Sequence, residues 1–138
     1  MTTTESPLPC AFGRAVLARR GACPLATLSL VGEAERPRCA SPVARTNCGT
    51  LHALLRERAT FALRLPRPPA PLPHAAELRL QCGGLAGVAE ALGEPPAPPA
   101  DIHALVSRAR DAFGGLLGLP FETVVAAIVR YPGRGRAS

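Results

Sequence analysis

The sequence predicts an α+β fold: a small two- or three-stranded sheet with about four helices, a cysteine-rich N-terminal third and a C-terminal helical hairpin. Three observations predict it. Short apolar runs broken by Gly, Pro and Cys fill the first third, a helix-period pattern begins near residue 48, and two amphipathic segments close the chain. The 138 residues suit one domain, long enough to bury a core without cross-links. Apolar residues make up 47%, so the 16 prolines do not imply a disordered chain. With aromatics at 4%, the core must be mainly Leu, Val and Ala.

Residues 1–9 read as a polar, mobile tail, and residues 10–92 as the cysteine-rich α+β core. Gly13 to Arg20 and Leu25 to Val31 flank Gly21-Ala22-Cys23-Pro24, the pattern of a loose hairpin. Ala15 and Ala18 are weak strand formers, so Arg14 to Arg19 fits a helix equally. Glu33 to Asn47 has two prolines, three arginines and no periodicity, and reads as a loop. Leu51, Leu54, Leu55, Ala59, Ala62 and Leu65 then recur at helical spacing. They predict a helix from about Cys48 to Arg64, with Thr46 or Asn47 as N-cap. Pro66 to Pro73 predicts a stiff polyproline-type connector. Leu78 and Leu80 alternate with polar neighbours over Glu77 to Gln81, as in a half-buried strand. Cys82-Gly83-Gly84 ends it, and Leu85 to Leu92 reads as a short helix.

A second proline-rich connector, residues 93–100, leads to the hairpin over 101–131. Asp101 caps a helix with Ile102, Leu105, Val106, Ala109 and Phe113 on one face, halted by Gly114-Gly115. Pro120 opens another, with Phe121, Val124, Val125, Ile128 and Val129 on one face. Such a stripe must cover the N-terminal part or a second copy, which makes 101–131 a candidate homodimer surface. Residues 132–138 are a basic tail, with Arg134 and Arg136.

The charge of +6 comes wholly from arginine, since the chain has no lysine. Arginine with abundant Ala, Gly and Pro is what a GC-rich genome produces. The physical consequence stands regardless: a basic surface favours an acidic partner protein or an anionic centre within the fold. No apolar run approaches the roughly 18–20 residues of a spanning helix. Met1-Thr-Thr-Thr-Glu5 lacks the basic and apolar regions of a signal peptide, so a cytoplasmic location is expected.

Five cysteines carry the chemical signal, spaced Cys10-x12-Cys23-x15-Cys39-x8-Cys48-x33-Cys82. An odd count in a reducing compartment argues against disulfides. Four lie within 39 residues, where regular structure is sparsest and a metal would order the chain. Cys48 shares a helix face with Leu51, Leu55, Ala59 and Ala62. A first-turn position there would favour a thiolate through the helix dipole. No Cys-x2-Cys knuckle or short ferredoxin run exists, so the fold itself would have to gather the ligands. Arg14, Arg19, Arg20, Arg36, Arg38 and Arg45 interleave with the cysteines, and such arginines would stabilise an anionic four-thiolate cluster.

Other chemistry is thinly represented. His52, four residues after Cys48, reaches the same helix face but reads first as a solvated residue. His74 and His103 have no sequence partner. Cys82-Gly83-Gly84 resembles a nucleophile or anion-binding turn, although a plain tight turn explains it as well. Hydrolase, NTPase and dinucleotide motifs are absent. Four Phe and one Tyr cannot interleave a nucleic-acid face.

The pattern therefore points to a small iron–sulfur protein in electron transfer or redox sensing, a carrier or sensor rather than a catalyst. Cys10, Cys23, Cys39 and Cys48 are the candidate metal ligands, and Cys82 is a further cofactor-binding candidate. A [4Fe–4S] centre is preferred over [2Fe–2S]. Zinc holding an interaction module, a metal-free adaptor or basic nucleic-acid binder, and a thiol enzyme using Cys48 or Cys82 stay open as alternatives.

Overall fold

The computed structural model describes residues 8–31, 34–67, 70–95 and 98–131. A two-residue strand, β1 (Leu8–Pro9), leads into a short helix, α1 (Gly13–Leu17). Two antiparallel strands follow, β2 (Ala26–Val31) and β3 (Ala34–Cys39). Helices α2 (Pro42–Leu63), α3 (His74–Ala91), α4 (Ile102–Ala112) and α5 (Phe121–Arg130) make up the rest, with a 3-10 turn at Leu116–Gly118.

The chain is mainly helical, which corrects the α+β class. The sheet expected from Gly13 to Arg20, Leu25 to Val31 and Glu77 to Gln81 does not form: the first segment winds into α1 and the last lies inside α3. The strand pairing present is a short ribbon in the order β1-β3-β2, confined to the N-terminal third. Its central strand runs through residues that read as a loop. The two expected tails fall outside the described residues, except that Leu8 and Pro9 pair with Cys39 and Arg38. Residues 68–69 and 96–97 of the two proline-rich connectors lie outside them as well.

The local reasons are legible in the hydrogen bonds. Helix α1 starts where Gln81 Oε1 accepts the backbone N–H groups of Arg14 and Ala15, at 3.0 and 3.1 Å. Those are two of the donors a helix start leaves unpaired. Ser41 caps α2 by accepting from Ala44 N at 3.2 Å, with Pro42 as first residue. The helix therefore begins six residues before Cys48, not at it. Asp101 caps α4, accepting from Ala104 N at 3.0 Å, and Gly114 and Gly115 end that helix at φ 69° and 130°.

Helix α3 is central. Leu80 to Leu85 and Gly87 to Ala89 are all buried, so it is covered almost all round. It packs most closely on α5, where a Cβ on Gly83 would lie 2.7 Å from Ile128 Cα, and one on Gly87 2.8 Å from Val124 Cα. Arg79 ties the pair by donating to the carbonyls of Ile128 and Val129, near the end of α5. Helices α4 and α5, expected as a hairpin over 101–131, each pack on α2 and α3. Their apolar residues Ile102, Leu105, Val106, Val124 and Ile128 are buried in this core.

Candidate metal centre

Four separate segments deliver the N-terminal cysteines. Cys10 follows β1, its N–H donating to Pro37 O and its carbonyl accepting from Gly13 N, each at 3.1 Å. Cys39 ends β3, paired across the ribbon with Leu8 on one side and Ala26 on the other. Cys23 lies in the loop from α1 to β2. That loop is clipped to the second proline-rich connector and the start of α4 by Ala22 N to Pro99 O (3.0 Å) and Ile102 N to Ala22 O (2.8 Å). Cys48 lies in the second turn of α2, buried on the same side as Leu51, Leu55 and Ala59.

These four cysteines line one small cavity of about 10 Å³, whose remaining walls include Ala44, Arg45, Ile102 and His103. Small alanines let the four segments approach. Electrostatics reports the same proximity. Burial pushes the Cys48 thiol up to about 12; Cys10, Cys23 and Cys39 push it further in the same direction, and Arg45 opposes them. Cys10 is raised as well, by burial first, with Cys23 and Cys39 adding to it against a backbone hydrogen bond at Phe12 and the charge of Arg45. All five cysteines are free thiols. Cys39 Sγ donates to Ser41 O at 3.3 Å, and Cys23 Sγ lies 4.0 Å from Asp101 Oδ1.

The position of Cys48 corrects one step of the sequence argument. A second-turn thiol does not meet the free N–H groups of a helix start, and burial holds its proton on. A cation within the cavity would reverse that balance, since metal binding displaces thiol protons.

The donor set is soft: four sulfurs in an apolar pocket suit zinc or an iron–sulfur cluster. Among the described residues, no three His, Cys, Asp or Glu side chains stand where a single ion would bind. A lone zinc with Zn–S bonds of about 2.3 Å needs its four sulfurs gathered round one point. The cavity, about 10 Å³, has the room of a single water, so a four-iron cluster would need its walls to part.

The remaining candidates go elsewhere. Cys82 lies mid-helix in α3, not at a turn, buried and hydrogen-bonded to the Tyr131 hydroxyl with Arg20 alongside. Burial raises its pKa, while Tyr131 and Arg20 act to lower it. His52 pairs with Glu77 at 2.5 Å and meets Phe12 edge-on. His74 is hydrogen-bonded to Arg14. Of the interleaved arginines, Arg45 lines the cysteine cavity and Arg38 a pocket beside it, whereas Arg20 serves Tyr131. The side chain of Arg36 lies outside the described residues. His103 is the cavity residue that the sequence did not single out; it stands 55 positions from Cys48, and no local spacing links them.

No helix among the described residues is long and apolar enough to cross a membrane. Compared with protein-family models, curated proteins and solved structures, the chain matches none significantly.

Proposed function

We propose that the protein holds an iron–sulfur cluster on Cys10, Cys23, Cys39 and Cys48 and works as an electron carrier or redox sensor. The observation that carries this reading is the shared cavity of the four thiols, brought in from four separate segments. Four cysteines around one small, mostly apolar space support a soft, thiolate-bound centre over a hard-cation site. A [4Fe–4S] centre is the preferred type. When bound, it would supply one-electron transfer. Arg45, at the cavity wall, would offset the charge of the thiolates, and the apolar neighbours would keep water from the sulfurs. The excess of arginine over acid fits an acidic redox partner.

Protein purified without oxygen tests this by its visible spectrum and its iron and sulfide content. About four irons with matching sulfide, lost in Cys48→Ser and Cys10→Ser but kept in Cys82→Ser, is the expected result. Colourless protein carrying one zinc would select the interaction-module reading. Colourless protein without metal would overturn the metal assignment altogether.

A further inference from the structure

A second cavity opens beside the cysteines, of about 850 Å³ and bounded by α1, β3, α2 and the start of α3. Its size falls in the range of small-molecule sites, and its wall mixes apolar and polar groups as such sites do. Arg14, Arg38 and Arg45 all line it, together with His74. Arginine stays charged at any working pH and presents a planar fork suited to carboxylate or phosphate oxygens.

The one carboxylate among its described lining residues, Glu77, is already engaged. Its Oε2 takes His52 at 2.5 Å and the Gln81 amide at 2.6 Å. Arg14 is hydrogen-bonded to His74 Nδ1, and Arg45 Nε donates to the carbonyl of Pro9. Among the described ion pairs, neither guanidinium has a carboxylate partner. Gly49 makes room for Arg45: a Cβ there would meet its guanidinium nitrogen at 2.4 Å. Arg14 and Arg45 thus line one concave space whose single described acid is committed to neutral and histidine donors.

We propose that this pocket is a binding site for a small organic anion, a molecule carrying a phosphate or carboxylate group beside a short apolar portion. Its anionic head would sit between Arg14 and Arg45, and its apolar part against Leu17 and Leu78. Concavity favours a small molecule over the acidic face of a protein, which would meet these arginines on a flat or convex surface. The site goes beyond the cluster reading and does not depend on it, although Cys10 and Arg45 belong to both cavities.

Calorimetric titration of the full chain with inorganic phosphate, citrate and AMP, each alone, tests it. The expected result is saturable one-site binding of at least one of them, with a dissociation constant below about 1 mM. Arg14→Gln and Arg45→Gln should each weaken it about tenfold or more, the loss of one charge-assisted hydrogen bond. Arg110→Gln, at an exposed position in the last turn of α4 that does not line the pocket, should leave it unchanged. Thermal melts of each variant show whether it remains folded, and Arg14 is exposed, so its variant isolates binding from folding. Absence of saturable binding by all three probes would overturn the site. So would binding that Arg110→Gln weakens as much as Arg14→Gln, because that is general attraction to a basic protein. Phosphate and AMP binding without citrate would identify a phosphate ligand, and citrate alone a carboxylate.

Discussion

Glu77 shows how one side chain ties three parts of the molecule together. Its carboxylate accepts from His52 on α2 and from Gln81 on its own helix, and Gln81 in turn caps α1. Burial alone would raise its pKa, but the hydrogen bonds from His52 and Gln81, with Arg14 nearby, hold it below its ordinary 4.5. A lowered carboxylate contributes stability that is complete above the unfolded value and fades as pH falls through the folded one. Glu77→Gln should therefore cost about 1 kcal/mol at neutral pH, with the gap from wild type closing below the ordinary carboxylate range. Urea melts against pH check this; a gap that persists in acid would rule out the ionised carboxylate as its source. At this scale the sequence could single out Cys10, Cys23, Cys39 and Cys48, which line one cavity, because spacing and count are properties of the sequence itself. His103 and the Glu77 network were not, since each depends on which helices meet, and no local pattern encodes that.

Helix α3 is where element-level reading failed, and the reason is physical. Alternation of Leu78 and Leu80 over five residues cannot separate strand from helix. A helix buried on nearly every side also loses the amphipathic period that would have identified it. Gly83 and Gly84 looked like breakers because mid-helix glycine normally costs about 1 kcal/mol. Here Gly83 and Gly87 let the backbones of α3 and α5 touch, and Gly84 accommodates Leu55. Helices α4 and α5 were legible, since each keeps one clean apolar face and its own stop signals. Gly87→Ala should accordingly destabilise by about 2 kcal/mol or more, because its Cβ meets Val124 Cα and O at 2.8 and 2.9 Å and backbone cannot swing aside. Gly49→Ala is the control on α2: its Cβ meets the end of the flexible Arg45 side chain, so helix propensity should leave stability unchanged or slightly improved. Equal losses at both sites would remove the interhelical explanation.

Across the whole molecule, the apolar core and the cysteine cavity divide the work of stabilisation unevenly. Most of the fully buried large side chains, among them Leu51, Leu55, Leu80, Leu85, Ile102 and Leu105, belong to α2–α5. From the N-terminal third, Phe12 and Ala15 enter that core, with Gln81 and the Ala22 clips adding polar fastening. Among the described side chains of residues 21–39, Cys23 and Cys39 are half-buried, and both line the cavity. If a cluster is held there, its removal acts on that segment first, because metal binding to a site absent from the unfolded chain is itself folding energy. Stripping the metal with chelator and oxidant should then leave far-UV helical signal largely intact. Amide exchange should speed up by about tenfold or more across residues 21–40, while α3 and α5 keep their protection. Uniform loss of protection would mean that the cluster supports the entire core. No change anywhere would mean that the four thiols hold nothing structural and meet only through packing.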